Sequence, residues 1–321
     1  MGNLIPSLET RFKRPPKYKI QSPPITACNQ QVFLCGNVIE KTEYERPLLR
    51  GLSSKRVGRS VSASKKDKEI NRNKVLARNR RTVRQLVNSN PDCNKFLTLT
   101  FADNLTNIDK ANYQFKKFIE RLKYRYSFIK FKLKYIAVIE FQERGAVHYH
   151  VLCNLPYIDA NELARVWGHG FIKLNKIDSV DNVGAYVTKY MQKDLDDPRL
   201  LGRKCYMTSR NLNKPLKIND DSVVDELLVY LCENDLVLRT HTNTTYNEYF
   251  GQCTYTQIVL KEPVDVSLWR KKRNRALLLS RRLKPVRDIP LPLVQMSLCP
   301  LRAGAEKPFI STFVGVGRWL D

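Results

Sequence analysis

The chain has 321 residues, with 56 Lys and Arg against 31 Asp and Glu, a formal net charge of +25. That length holds one or two domains with a real core, and a hydrophobic content of 42 % excludes a wholly disordered chain. The cation excess points to a polyanionic partner, because basic surfaces gain affinity by releasing counterions condensed on phosphates. No apolar run approaches the roughly 20 residues that span a bilayer, and the first residues lack the apolar stretch of a secretory signal. The eight cysteines form no CxxC pair, so they read as reduced thiols of a cytosolic protein rather than a zinc ribbon.

In chain order, residues 1–64 carry short proline clusters and no sustained period, and read as an N-terminal arm or irregular cap. From Asp67 to Val87 apolar residues alternate at helical spacing with Arg78, Arg80, Arg81 and Arg84. This predicts an amphipathic helix with a cationic face, either simply solvated or tracking phosphates. Phe96 to Phe101 alternates with period two and predicts a half-buried strand. Asp103 to Tyr126 predicts a helix with a core-facing aromatic stripe; Tyr135–Phe141 and Ala146–Asn154 predict two strands. A short helix (159–167), a short strand (171–174) and a helix over 180–193 follow.

The order β-α-β-β-α-β-α predicts an α+β fold: a central antiparallel sheet of about five strands with helices packed on it, of the split-βαβ kind. Further strands (236–238, 254–260) and a helix (223–231) extend this domain, drawn as residues 65–262. Residues 263–321 read as a basic C-terminal tail, its stretch Trp269 to Arg287 holding nine Lys and Arg and no acid.

Chemistry concentrates at His148-Tyr149-His150, within a strand. Positions i and i+2 of a strand share a face, so both imidazoles can reach one metal ion or can both face solvent. Glu143-Arg144-Gly145 suits a three-residue hairpin loop with glycine at the left-handed position. That register pairs Glu140 with His148 and makes Glu140 a third ligand; a two-residue loop would send it to the opposite face. Two imidazoles and a carboxylate suit Mg²⁺ or Mn²⁺ in a phosphate reaction, and zinc binds such a set as well. Further on, Tyr186, Tyr190 and Lys193 follow i, i+4, i+7 spacing, with Lys189 at the edge of that face. Such tyrosines commonly pack into a core, but a phenol beside a cation can also attack phosphorus and form a phosphotyrosine.

The segments TLTF (Thr98–Phe101), GAVHYHVL (Gly145–Leu152) and YVTKYMQK (Tyr186–Lys193), in this order, resemble the three motifs of HUH endonucleases. WGHGF (Trp167–Phe171) also resembles the rolling-circle replication initiators of small phages and plasmids, those of microvirus-like phages above all. The resemblance spans roughly residues 65–215 and implies an HUH/RRM-like fold. It implies a metal site at His148 and His150, with Glu140 as third ligand and Glu143 or Gln142 as rivals. Tyr186 would then nick one strand of origin DNA, leaving a 5′-phosphotyrosine and a 3′-OH, and Tyr190 would act in a second cleavage. Lys189 and Lys193 would offset phosphate charge, His169 would serve a turn or touch DNA, and the TLTF strand would be structural.

The resemblance also implies a bacterial cytoplasm and a host polymerase, and, since no GxxxxGK[ST] stretch is present, a host helicase. Within the same superfamily, single-strand transposases carry one tyrosine and most relaxases place the histidines after it. A non-catalytic origin binder or repressor is the alternative of another class. RNA-recognition modules share the sheet but present aromatics in place of the HxH.

Overall fold

The computed structural model describes residues 26–50, 65–177, 182–188, 197–200 and 203–282. Their elements run β1 (Thr26–Cys35), β2 (Val38–Arg50), α1 (Lys65–Asn88), β3 (Lys95–Thr100), α2 (Ile108–Arg125), β4 (Tyr135–Phe141), β5 (Val147–Cys153), α3 (Ala160–Trp167) and β6 (Ile172–Lys176). There follow α4 (Val183–Thr188), β7 (Tyr206–Thr208), β8 (Leu216–Ile218), α5 (Asp221–Glu233), β9 (Val237–Asn247), β10 (Gly251–Leu260) and α6 (Val266–Arg282). They build an α+β protein around two antiparallel five-stranded sheets, ordered β8-β1-β2-β10-β9 and β6-β3-β5-β4-β7.

The second sheet is the one foreseen. Strands β3 and β4 are joined by α2, and β5 inserts between them by the β4–β5 hairpin; β6 then returns to the far side of β3. This is the split-βαβ arrangement. Period two sorts its side chains. Leu97, Leu99, Phe101 and Tyr149 turn to one face, where Tyr149 stacks on Phe115 of α2 (4.8 Å) and Phe101 meets Trp167 of α3 (5.0 Å).

Helix α2 forms because Asn107 caps it, its side-chain oxygen accepting from Asp109 N and Lys110 N at 3.0 Å. Its stripe Ile108, Ala111, Phe115, Phe118, Ile119 and Leu122 is buried at helical spacing against the sheet. The opposite face carries Phe96, Thr98, Thr100, His148 and His150, and there Phe96 meets Tyr186 of α4.

The first sheet corrects the reading of an arm or irregular cap over residues 1–64 where these are described, at 26–50. Residues 26–50 form a hairpin whose two-residue loop, Gly36-Asn37, takes a positive φ (+61°) at Gly36. Gly36 is also a close approach, because a Cβ there would lie 2.2 Å from the Asn88 carbonyl oxygen. β2 pairs with β10, and β1 with β8, so this sheet draws on both sides of the boundary placed at residue 64. Within the basic tail drawn over residues 263–321, the described Val266–Arg282 is helix α6, and it buries Trp269 with Val224, Leu227 and Leu231 of α5 in the core of this sheet.

Helix α1 joins the two sheets. Val83 and Val87 belong to the core of the second sheet, while Arg84 and Gln85 donate to the Glu40 carboxylate of β2 at 2.6 and 2.8 Å. Glu40 is only 2 % exposed, so these two donors supply the pairing that a buried carboxylate requires. No helix among the described residues is long and apolar enough to cross a membrane.

Candidate metal centre and tyrosine helix

The β4–β5 hairpin has the expected three-residue loop. Gly145 adopts φ +84°, its N–H donates to the Gln142 carbonyl, and Gln142 N donates to Ala146 O. The register therefore pairs Glu140 with His148 and Phe141 with Val147. Glu140, His148 and His150 come together on one face, and one ligand atom from each lies within 4.8 Å of the others. His150 Nε2 contacts the Glu140 carboxylate, and the two imidazole centroids are 4.9 Å apart. Among the described residues this is the group of His, Cys, Asp and Glu able to hold a metal ion, and Glu143 is not in it; the Gln142 side-chain oxygen accepts from Arg144 Nε at 3.0 Å. Its chemistry, two imidazole nitrogens and a carboxylate, fits a divalent cation.

The TLTF strand does more than form sheet. β3 lies beside β5 with Thr98 opposite His150 and Thr100 opposite His148. Thr100 Oγ1 is 2.9 Å from His148 Nε2, and Thr98 Oγ1 is 3.3 Å from His150 Nδ1. Each hydroxyl orients one ring, as outer partners of metal-binding histidines do. Sequence reading missed these roles, although a signal was present. The alternation Phe96-Leu97-Thr98-Leu99-Thr100 already separates the threonines from the core-facing leucines.

Tyr186 stands on α4 at half-burial. Its ring meets Phe96 edge-on, with centroids 5.7 Å apart, and Phe96 in turn stacks on His150 at 5.5 Å and 14°. A continuous chain of rings thus links the phenol-bearing helix to the histidine pair. The helix is held at its start by two asparagines. Asn88 of α1 accepts from Gly184 N (2.8 Å) and donates to Asn182 Oδ1 (3.0 Å), while Asn182 Oδ1 caps Ala185 N (3.0 Å). Gly184 allows this close docking, since a Cβ there would lie 2.5 Å from the Arg84 carbonyl oxygen. Lys189, Tyr190 and Lys193 lie outside the described residues.

The arginines of α1 divide. Arg78 and Arg81 are exposed, Arg80 buries its Nε, and Arg84 is engaged by Glu40 and by the Tyr255 hydroxyl at 3.2 Å. Only the first two present the open cationic surface expected of a phosphate-tracking face. His169 sits outside the metal group, packed against Trp167 (5.1 Å) and Phe101 (6.0 Å), and burial pushes its imidazole below the usual histidine range.

The fold and site together define an α+β protein whose central hairpin carries an HxH-plus-carboxylate cluster. Residues 94–195 match the family model of replication-associated protein ORF2/G2P, a stretch that includes Glu140, His148, His150 and Tyr186. Neither the curated proteins nor the solved structures contain a significant match to the chain.

Proposed function

We propose that the protein initiates rolling-circle replication by nicking and rejoining single-stranded DNA at an origin through a covalent 5′-phosphotyrosine, as the resemblance to HUH endonucleases implies. The observation that carries this reading is the ring chain Tyr186–Phe96–His150, which sets a phenol-bearing helix beside the Glu140–His148–His150 cluster on one sheet face.

A Mg²⁺ or Mn²⁺ ion held by these three residues would polarise the scissile phosphate and offset the charge that grows during displacement. The Tyr186 phenol loses its proton to solvent and its oxygen bonds to phosphorus. The P–O3′ bond breaks, and the departing oxygen takes up a proton to become a 3′-OH that primes synthesis. Lys189 and Lys193 offset phosphate charge, and Arg78 and Arg81 of α1 hold flanking DNA. Tyr190, four residues after Tyr186, serves the second cleavage that releases a unit-length circle. Rejoining reverses the same exchange, so the phosphotyrosine conserves the phosphodiester's energy and no nucleotide is consumed. A host polymerase and helicase complete the replication step.

The test is incubation of the full chain with single-stranded origin DNA and Mn²⁺, with and without chelator, followed by denaturing electrophoresis. A chelator-sensitive protein–DNA adduct that Tyr186→Phe and Tyr190→Phe together abolish is expected. DNA binding without any adduct would instead mark a non-catalytic origin binder.

A further inference from the structure

The segment Trp167-Gly168-His169-Gly170-Phe171 is built with unusual exactness for a connection between a helix and an edge strand. Gly168 ends α3 in the left-handed region (φ +69°), and Trp167 is fully buried with Nε1 donating to the Thr100 carbonyl at 3.0 Å. Gly170 takes φ +143° where no side chain fits, since a Cβ would lie 2.4 Å from Ala102 N and 2.6 Å from Thr100 O. The His169 carbonyl accepts from Ala102 N, and the Phe171 carbonyl accepts from Thr100 N. What this scaffold delivers is a large aromatic side chain that is 67 % exposed.

Its position gives it a use. The β3–β6 ladder pairs Thr98 with Lys173 and Leu99 with Ile172, and the hydrogen bond from Thr100 to Phe171 continues that register. Directly paired residues project from one face, so Thr100, His148 and Glu140 form a row across β3, β5 and β4 that Phe171, the residue before β6, continues. Lys173, exposed, lies one row along beside Thr98 and His150. Strands lie about 4.8 Å apart, so Phe171 stands about 10 Å from His148, a span of one or two nucleotides.

We propose that Phe171 and Lys173 form a nucleotide-binding ledge on the edge strand, Phe171 stacking on a base and Lys173 meeting the adjoining phosphate of the single strand that crosses the metal centre. The ligand is single-stranded DNA because an exposed ring next to a cation matches its alternation of base and phosphate, in a chain of net charge +25. The inference rests on the nicking reading for the path of the strand, but not for the binding it predicts.

The probe is a fluorescein-labelled oligo-dT of about twenty residues, compared by anisotropy with an abasic oligomer of the same length, in chelator so that nothing is cleaved. The wild type should bind oligo-dT more tightly than the abasic strand. Phe171→Ala should weaken oligo-dT binding about tenfold and erase that preference, and Phe171→Trp should restore both. Lys173→Gln should lower the slope of log affinity against log salt by about 0.7 for both oligomers. Equal binding of oligo-dT by wild type and Phe171→Ala, or no preference for dT over abasic DNA in the wild type, overturns the ledge. Absence of a covalent adduct would instead count against the nicking reading and leave this measurement intact.

Discussion

Thr100 and His148 face each other across β3 and β5, with the threonine hydroxyl 2.9 Å from the imidazole Nε2. Thr98 and His150 repeat the arrangement one pair further along. The strand that looked purely structural therefore sets the ring orientation of both histidines. Because the two threonines are half-buried, replacing a hydroxyl with a methyl leaves packing close to intact.

Thr100→Val should weaken Mn²⁺ binding by about 10–100-fold while the thermal midpoint moves little. Titration calorimetry with Mn²⁺ on the wild type and the variant checks this. Undiminished affinity would show that the hydroxyl does not steer the ring.

Gly184→Ala puts a methyl group 2.5 Å from the Arg84 carbonyl oxygen and 2.7 Å from Asn88 Oδ1. Either α4 lifts away from α1 or the Asn88 contacts break. A loss of about 1–3 kcal/mol in stability is expected from such overpacking. The adduct yield in the Mn²⁺ assay should fall further than stability alone predicts, because Tyr186 moves with the helix. Chemical denaturation alongside the adduct gel separates the two effects.

Glu40→Ala removes the acceptor for both Arg84 and Gln85 and leaves their donors unpaired between β2 and α1. Arg84 keeps some access to water, which places the cost near the low end for a broken buried pair, about 3 kcal/mol. Urea denaturation monitored by circular dichroism reads it directly. A loss under about 1 kcal/mol would mean that the pair carries little of the joint between the sheets.

Acid should loosen the metal hairpin. Arg199 donates to the Gly145 carbonyl at 2.7 Å and lies 3.6 Å over the Phe141 ring, and it is held by Asp197. The hydrogen bond from Arg199 depresses the Asp197 carboxyl below its ordinary value. A depressed folded pKa contributes stability that is complete above the unfolded value, near 3.9, and is lost as pH falls through the folded one. Asp197→Asn should therefore destabilise the protein at pH 7 and flatten the decline in urea midpoint below about pH 4. Parallel declines in variant and wild type would remove Asp197 from the acid response.

Much of the second sheet and its site was legible in the sequence because the contacts involved are local. The β4–β5 hairpin joins its strands across three residues, so loop chemistry at Gly145 set the register, and the register alone put Glu140 beside His148. The helices over Asp67–Val87 and Asp103–Tyr126 were visible in their apolar period, and they end within a few residues of the observed bounds. By contrast, residues 26–50 were passed over although Gly36-Asn37 between Val32-Phe33-Leu34-Cys35 and Val38-Ile39 is a hairpin signal. Early prolines and the absence of a long period obscured it. Its partner β10 lies some two hundred residues away, a pairing that no local pattern reveals.

The sequence by itself determined the alternation of the strands, the hairpin turn and hence the union of two histidines with one carboxylate, because each is set by neighbours a few residues apart. Tertiary structure decided the rest. Only packing buries the Glu40 carboxylate against Arg84, sets Thr100 against His148, and brings the Tyr186 ring to Phe96 beside the histidine pair. Those contacts join segments far apart in the chain, and their geometry follows from how two sheets and a shared helix close around common cores.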